Sequence, residues 1–368
     1  MRVLVTGANG FIGRNLTVRL VEHNIDVVAW NRDTSIASIS ESLPSIDWVV
    51  HLAAANRPTT EDGFVTDNAE FTQTVIDVLS KAQRPIPLIF SSSSQVLLDN
   101  SYGKTKRIAE GAVCAYGERS GVPVSIYRLP GVFGKWCKPN YNSVVATFCH
   151  NIAQGLAISI SDPTKELALV YIDDVVTEFV NVILAKKAML AEGVVVPQYQ
   201  VSLATLAEKI RSFTQSRVNL TLADVGTGFD RALYATYVSY LQPEQFSYTV
   251  PRYVDPRGEF AELVKHPDAG QVSYFTAHAG ITRGGHYHHT KTEKFLVIRG
   301  QARFCFRHLI TNETYEVLTQ GGDGRVVETI PGWVHDITNI GTEELIVMLW
   351  ANEIFDRAQP DTVAARVI

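Results

Sequence analysis

The 368-residue sequence predicts an α/β domain built on a doubly wound parallel sheet, followed by an all-β domain. Three observations carry this. Short, continuous apolar runs alternate with helical patterns through Thr214, as strands buried on both faces by helices require. A glycine turn, Gly7-x-x-Gly10-x-x-Gly13, joins the first run to the first helix. After about Val225 the helical texture gives way to strand-like segments separated by Gly, Asn and Asp turns. A single core rarely grows past roughly 250–300 residues, so the length itself asks for a division. We place it near residue 245, giving domains 1–244 and 245–368.

The elements follow in order. Arg2 to Thr6 is a strand, the glycine turn opens a helix through Leu16 and Leu20, and Asp26 to Trp30 is a second strand. Asp47 to Ala54 contains a third strand, Thr66 to Ala82 an amphipathic helix, and Leu88 to Ser91 a fourth strand. Helices are predicted at Ser101 to Arg119, Ser143 to Gln154, Asp174 to Lys187 and Leu203 to Thr214. The later strands are Val272 to Ala277, Lys294 to Ile298, Ala302 to His308, Tyr315 to Leu318 and Leu345 to Leu349.

Composition narrows the function. With 46% hydrophobic and 19% charged residues, the chain can bury sizeable cores. A net charge of -5 with dispersed basic residues gives no footprint for nucleic acid or an anionic membrane. Cys114, Cys137, Cys149 and Cys305 are scattered without a Cys-x-x-Cys pair, which fits a reducing compartment. No apolar run approaches the roughly 20 residues of a membrane span, and Met1 to Gly7 leaves no room for a signal peptide. A cytoplasmic protein without membrane insertion is expected, acting as a homodimer or higher homo-oligomer.

Glycines between a strand and a helix let backbone N–H groups and the positive helix end approach a pyrophosphate. Gly7, Asn9, Gly10, Phe11, Ile12 and Gly13 are therefore candidate dinucleotide contacts. The second strand ends at Asn31-Arg32, and a guanidinium suits a ribose 2′-phosphate, so NADPH is favoured. Asp33 nearby keeps NADH open. Tyr102 and Lys106, four apart on one helix face, form a candidate proton donor. The ammonium, with oxidised nicotinamide, favours phenolate and should lower the phenol's pKa. Ser93, just beyond a strand, can hydrogen-bond the same substrate oxygen.

Together with His51-Leu52-Ala53-Ala54 and Asn68, these motifs resemble the extended short-chain dehydrogenase/reductase family, with its Rossmann-type sheet, over about residues 1 to 240. The resemblance implies catalytic roles for Ser93, Tyr102 and Lys106, and places Leu52, Ala53, Asn68 and Pro130 near the cofactor. Two departures stand out. The segment between the second strand and His51 is short enough to lack a sheet strand. The eight residues separating Ser93 from Tyr102 are fewer than the family's usual substrate loop.

In the second domain, His286 and His288 at i and i+2 on a strand point to one face. Glu293 would begin the next strand and His335 would come from a later one. Such nitrogen and carboxylate ligands suit Zn²⁺, Fe²⁺, Mn²⁺ or Ni²⁺, zinc being preferred. The spacing Gly280, His286-x-His288, Glu293, Gly300, then Gly332-x-x-His335-x-x-x-Asn339 resembles the cupin family, which implies a jelly-roll barrel and no particular function. Pro331 directly precedes Gly332, departing from that pattern. Asp255-x-Arg257-Gly258-x-Phe260-x-Glu262 and Arg283-Gly284-Gly285-His286-Tyr287 are similar to the nucleotide-sugar 3,5-epimerase branch of the cupins. That likeness makes His286 a catalytic base and has Arg257 and Arg283 bind a nucleotide diphosphate. His286 thus has two competing roles, ligand and base, and the complete ligand set favours the first.

The order of the two halves resembles bifunctional capsular polysaccharide enzymes. The likeness extends through Phe133 to Ser143, Tyr171-Ile172-Asp173-Asp174, His335 to Asn339 and Trp350-Ala351-Asn352-Glu353. It implies a UDP-linked 4-keto-6-deoxy-N-acetylhexosamine as substrate and UDP-2-acetamido-2,6-dideoxy-L-talose as product, by C3 epimerisation and NADPH-dependent C4 reduction. A 4-ketone acidifies the neighbouring C–H bonds and its reduction abolishes that acidity, so epimerisation should come first. Two alternatives stay open: a single-activity 4-keto-sugar reductase with a structural cupin, and a cofactor-binding regulatory or scaffolding protein.

Overall fold

The apolar runs of the first half become strands Arg2–Thr6 (β1), Asp26–Trp30 (β2), Trp48–His51 (β3), Leu88–Ser93 (β4), Val124–Leu129 (β5), Gly131–Phe133 (β6), Glu166–Tyr171 (β7), Ala191–Gly193 (β8) and Gln198–Ser202 (β9). In this computed structural model, which describes residues 1–55, 62–185 and 191–367, six of them form one parallel sheet in the order β2-β1-β3-β4-β5-β8. Alternation along β1 explains its unbroken hydrophobicity. Val3 and Val5 enter one core with Leu16, Leu20 and Phe179, while Leu4 enters a second with Trp30, Val49 and Phe90. Each such burial contributes about 1.5–3 kcal/mol before conformational entropy is counted. A small sheet, β6-β7-β9, lies apart from the main one in this unit.

Among the described residues β2 is the sheet's edge, so no further strand lies beyond it. The short stretch after β2 is taken up instead by the helix Ile36–Ser42 and a turn at Leu43–Ser45. The helix expected from Thr66 also differs. Val65–Glu70 is π-helical and only Phe71–Ser80 is α-helical; the wider turn buries both Asn68 and Ala69. Such π turns recur at functional sites.

The remaining strands are Arg252–Asp255 (β10), Gly258–His266 (β11), Gly270–Ala277 (β12), Thr282–Tyr287 (β13), Glu293–Arg299 (β14), Gln301–His308 (β15), Thr314–Gln320 (β16), Val326–Glu328 (β17), Trp333–Asn339 (β18), Leu345–Ala351 (β19) and Val363–Ala364 (β20). They make two sheets, β10-β11-β12-β19-β14-β17 and β16-β15-β18-β13-β20, whose strand pairs are antiparallel. Leu345, Val347 and Leu349 of β19, one face of a period-two strand, share a core with Phe275, Phe295, Phe304 and Phe306.

The chain separates into two compact units, Met1–Ile210 with Gly228–Leu241, and Arg211–Thr227 with Gln242–Ile368. The second unit therefore takes in a segment well before residue 245. Leu220 and Leu222 attach it by exchanging backbone hydrogen bonds with Lys265 of β11.

Candidate active site and candidate metal centre

The glycine turn is shaped for close approach. A Cβ on Gly13 would stand 2.2 Å from the Gly7 carbonyl oxygen and 2.7 Å from Ala8 Cα, so only glycine lets the helix Phe11–Glu22 begin there. Its cap, Gly10, offers no side-chain acceptor and its first turn holds no acidic residue, leaving the N-terminal N–H groups for an anion. Thr6 completes the wall, its hydroxyl accepting from the Leu52 and Ala53 N–H groups at 3.1 Å each. Asn31 Oδ1 accepts from the Asn9 N–H at 3.3 Å, linking the end of β2 to the turn. Arg32 is highly exposed and pairs with Asp67 at 3.3 Å. Asn68 holds Ala55 through both its amide atoms, and Pro130 is half-buried between β5 and β6.

Ser93 ends β4, and Tyr102 and Lys106 lie on the first two turns of the helix Ser101–Ser120, which Asn100 caps by accepting from the Gly103 N–H at 2.7 Å. The Ser93 hydroxyl hydrogen-bonds the Tyr102 phenol. Burial pushes that phenol up to about 12, the serine contact pulling the other way. In the protein alone, without the nicotinamide charge on which the expected lowering also rests, removing the phenolate from water outweighs its polar neighbour. Lys106 is buried, donates to the Ser91 carbonyl at 2.9 Å, and is lowered to about 8 by desolvation against the opposing pull of Glu110. Glu110 is itself fixed by Ser92 at 2.5 Å and by Arg128 at 2.8 Å.

Tyr102 opens onto a cavity of about 330 Å³ lined by Phe64, Gln95, Asn100, Ser101 and Asn142. Gln95, Asn142 and Phe64 escaped the sequence reading, because no pattern marks a lining residue on a turn or loop. The tyrosine edge meets the Phe64 ring at 6.0 Å. A concave site with amide groups around one proton donor suits a polar molecule carrying a carbonyl.

In the second unit, His286, His288, Glu293 and His335 converge, their nearest ligand atoms all within 4.8 Å of one another. A bulge between Gly284 and His286 re-aims the latter, and Gly285 supplies the positive φ of 73° that it needs. His288 falls one residue past the end of β13, Glu293 opens β14 and His335 lies on β18. The donor set fits a cation on two observations. His335 Nε2 is buried without a hydrogen-bond partner. His288 faces acceptors at both ring nitrogens, the Asp361 carbonyl at 2.5 Å from Nδ1 and Glu293 Oε2 at 3.2 Å from Nε2. With the ring N–H committed to the carbonyl, a proton or a cation must bridge Nε2 and the carboxylate.

Burial, then the His335 and His288 imidazoles, lower His286 to about 4, so its ring is neutral at pH 7. Burial opposes ionisation of Glu293, yet His288, His335 and Lys291 hold its carboxyl far below the usual range. Lys291 is a further residue that sequence reasoning missed; its ammonium lies 3.0 Å from Glu293 Oε1. Arg257 is gripped by Asp255 at 2.5 Å, whereas Arg283, stacked over Phe275, keeps Nε and Nη2 buried without a hydrogen-bond partner, Asp255 standing off at 3.9 Å. Those two donors call for an anionic oxygen.

This glycine turn and Ser-Tyr-Lys geometry on a doubly wound sheet define an extended short-chain dehydrogenase/reductase domain, here followed by an all-β unit. The NAD dependent epimerase/dehydratase family matches residues 3–196, and the chain belongs to it; the polysaccharide biosynthesis C-terminal domain matches residues 253–363. A nicotinamide cofactor follows from that membership. The UDP-2-acetamido-2,6-beta-L-arabino-hexul-4-ose reductase of Pseudomonas aeruginosa is 52% identical, covering 100% of this chain and 99% of that protein. The capsular polysaccharide assembling protein CapF of Staphylococcus aureus superposes with a TM-score of 0.93 at 39% identity, over 100% of both chains. The Bordetella bronchiseptica enzyme WbmF, solved with NAD⁺, shares the fold at 18% identity and a TM-score of 0.55, over 65% of this chain and 92% of its own.

Proposed function

We propose that the protein reduces the C4 ketone of a UDP-linked 2-acetamido-2,6-dideoxy-4-hexulose with NADPH, after its all-β unit has epimerised C3, giving UDP-2-acetamido-2,6-dideoxy-L-talose. The observation that carries the reduction is the Ser93–Tyr102 contact at the mouth of a polar cavity. It stands in a chain half identical, end to end, to a hexul-4-ose reductase. The cytoplasmic, homo-oligomeric setting expected from the sequence belongs to the same reading.

A nicotinamide cofactor held at the glycine turn of Gly7, Gly10 and Gly13 would supply the hydride for C4. Tyr102, with its phenol pushed up to about 12, is protonated at neutral pH and donates that proton to the ketone oxygen, which Ser93 steadies. Lys106, lowered to about 8, keeps its ammonium at pH 7 and offsets the charge left on the phenol. The outcome balances as one hydride and one proton added across C=O.

For epimerisation, the C3–H beside the ketone is the acidic bond, and His286 would receive its proton only where it is not itself a metal ligand. In the reading we favour, His286, His288, Glu293 and His335 hold zinc or a similar divalent ion, which supplies positive charge for a carbonyl oxygen. Arg283, with two buried nitrogens that make no hydrogen bond, and Arg257 bind the diphosphate. A second reading has His286 as a metal-free base, favoured by the Arg283-Gly284-Gly285-His286 sequence.

A Tyr102→Phe variant separates the two chemistries. It should lose roughly 10²–10⁴-fold in reduction while still exchanging the proton next to the ketone with solvent deuterium. Undiminished reduction would remove Tyr102 from its role.

A further inference from the structure

The carboxyl-terminal segment is built into the histidine cluster. β20 adds to β13 at His286 and Tyr287, and the Ala365 N–H donates to the Gly285 carbonyl at 3.0 Å. Arg307 donates to the Arg366 carbonyl at 2.7 Å, and Val367 is buried. Asp361 begins this segment. Its carboxylate accepts from the His289, Thr290 and Lys291 N–H groups at 2.9, 2.7 and 2.8 Å, and from the Thr290 hydroxyl at 3.0 Å. Its carbonyl accepts from His288 Nδ1.

We infer that Asp361 is the positioning residue of the metal centre. The inference rests on the metal reading given above. Its two acceptors act on either end of one turn. The carbonyl takes the His288 N–H and so leaves the Nε2 lone pair toward Glu293, the arrangement a metal-ligating histidine needs. The carboxylate gathers three consecutive N–H groups that have no strand partner, fixing the turn that carries His288 into Lys291 and Glu293. A carboxylate with that many backbone donors holds its geometry through charge-assisted bonds about twice as strong as neutral ones. Asp361 lies 73 residues from His288 in the chain, so spacing rules for metal ligands cannot reveal it.

The experiment measures zinc affinity of the full-length protein by competition with a chromogenic chelator, and the visible absorption of the Co²⁺-loaded protein, which reads ligand geometry. Wild type, Asp361→Asn, Asp361→Ala and the strap control Val363→Ala are compared, with thermal melts of each without metal. We expect Asp361→Ala to weaken zinc binding roughly 10–100-fold and to change the cobalt spectrum, Asp361→Asn to lose less, and Val363→Ala to match wild type. Unchanged affinity and spectrum in both Asp361 variants would overturn the inference, as would an equal loss in Val363→Ala, which would mean that the segment acts only as structure. Should the alanine variant fail to fold, the near-isosteric asparagine variant decides. A wild type that takes up neither zinc nor cobalt would overturn the metal reading and this inference together, whereas tight wild-type binding with indifferent variants would overturn the inference alone.

Discussion

The Lys291 ammonium lies 3.0 Å from Glu293 Oε1, with both side chains almost fully buried. The lysine occupies one carboxylate oxygen and leaves Oε2 facing His288 at 3.2 Å and His335 at 3.6 Å. A divalent ion held there would take Glu293 through a single oxygen beside three imidazoles, a set that suits zinc.

Metal content follows from this arrangement. Wild-type protein dialysed against zinc should retain a full equivalent by elemental analysis, and His288→Ala should retain little. A chelator should lower the wild-type unfolding temperature, since a ligand at 100 times its Kd contributes about 2.7 kcal/mol. Full occupancy in His288→Ala would break the ligand set.

Lys106 makes a pH prediction for the cofactor-free protein. Its folded pKa is lowered, by desolvation above all, to about 8 from 10.5. Between those values the unfolded chain binds more protons than the folded one, so stability rises with pH. The cost of the buried ammonium is complete below pH 8 and relieved by about pH 10.5. Urea unfolding of wild type and Lys106→Met across this range should show their difference shrinking by roughly 3 kcal/mol. A difference that is constant with pH would contradict the buried ammonium.

Arg32 bears on the choice of cofactor. Its ion-pair partner is the half-exposed Asp67, a surface pair of small net value that can yield to a phosphate. Arg32→Ser should raise KM for NADPH by roughly 10–100-fold, the worth of a charged hydrogen bond, and leave KM for NADH nearly unchanged. Equal effects on both would take 2′-phosphate recognition away from Arg32.

What the sequence could show depended on how local the information was. The β1 run, the glycine turn and the four-residue step from Tyr102 to Lys106 each depend on neighbours in the chain, and all could be read directly. The His286, His288, Glu293 and His335 set was legible from its spacing in the chain, although His288 falls one residue past β13 and a bulge re-aims His286. Asp361 and Lys291 were not, since their roles arise from a distant strap and from burial. The raised phenol of Tyr102 was missed for a related reason: the desolvation that pushes it up exists only after folding. The π turn at Val65–Glu70, where Asn68 turns inward to grip Ala55, was hidden as well, because the apolar periodicity there reads as an ordinary helix.

The order of the two reactions is the central claim. Incubating the UDP-linked 4-keto sugar with the wild-type protein in D₂O, with and without NADPH, and following mass tests it most directly. The account predicts deuterium at the carbon beside the ketone without NADPH, and with NADPH a reduced product carrying both that deuterium and the inverted centre. Reduction with NADPH but no exchange in its absence, and no inversion, would contradict it and leave a reductase alone.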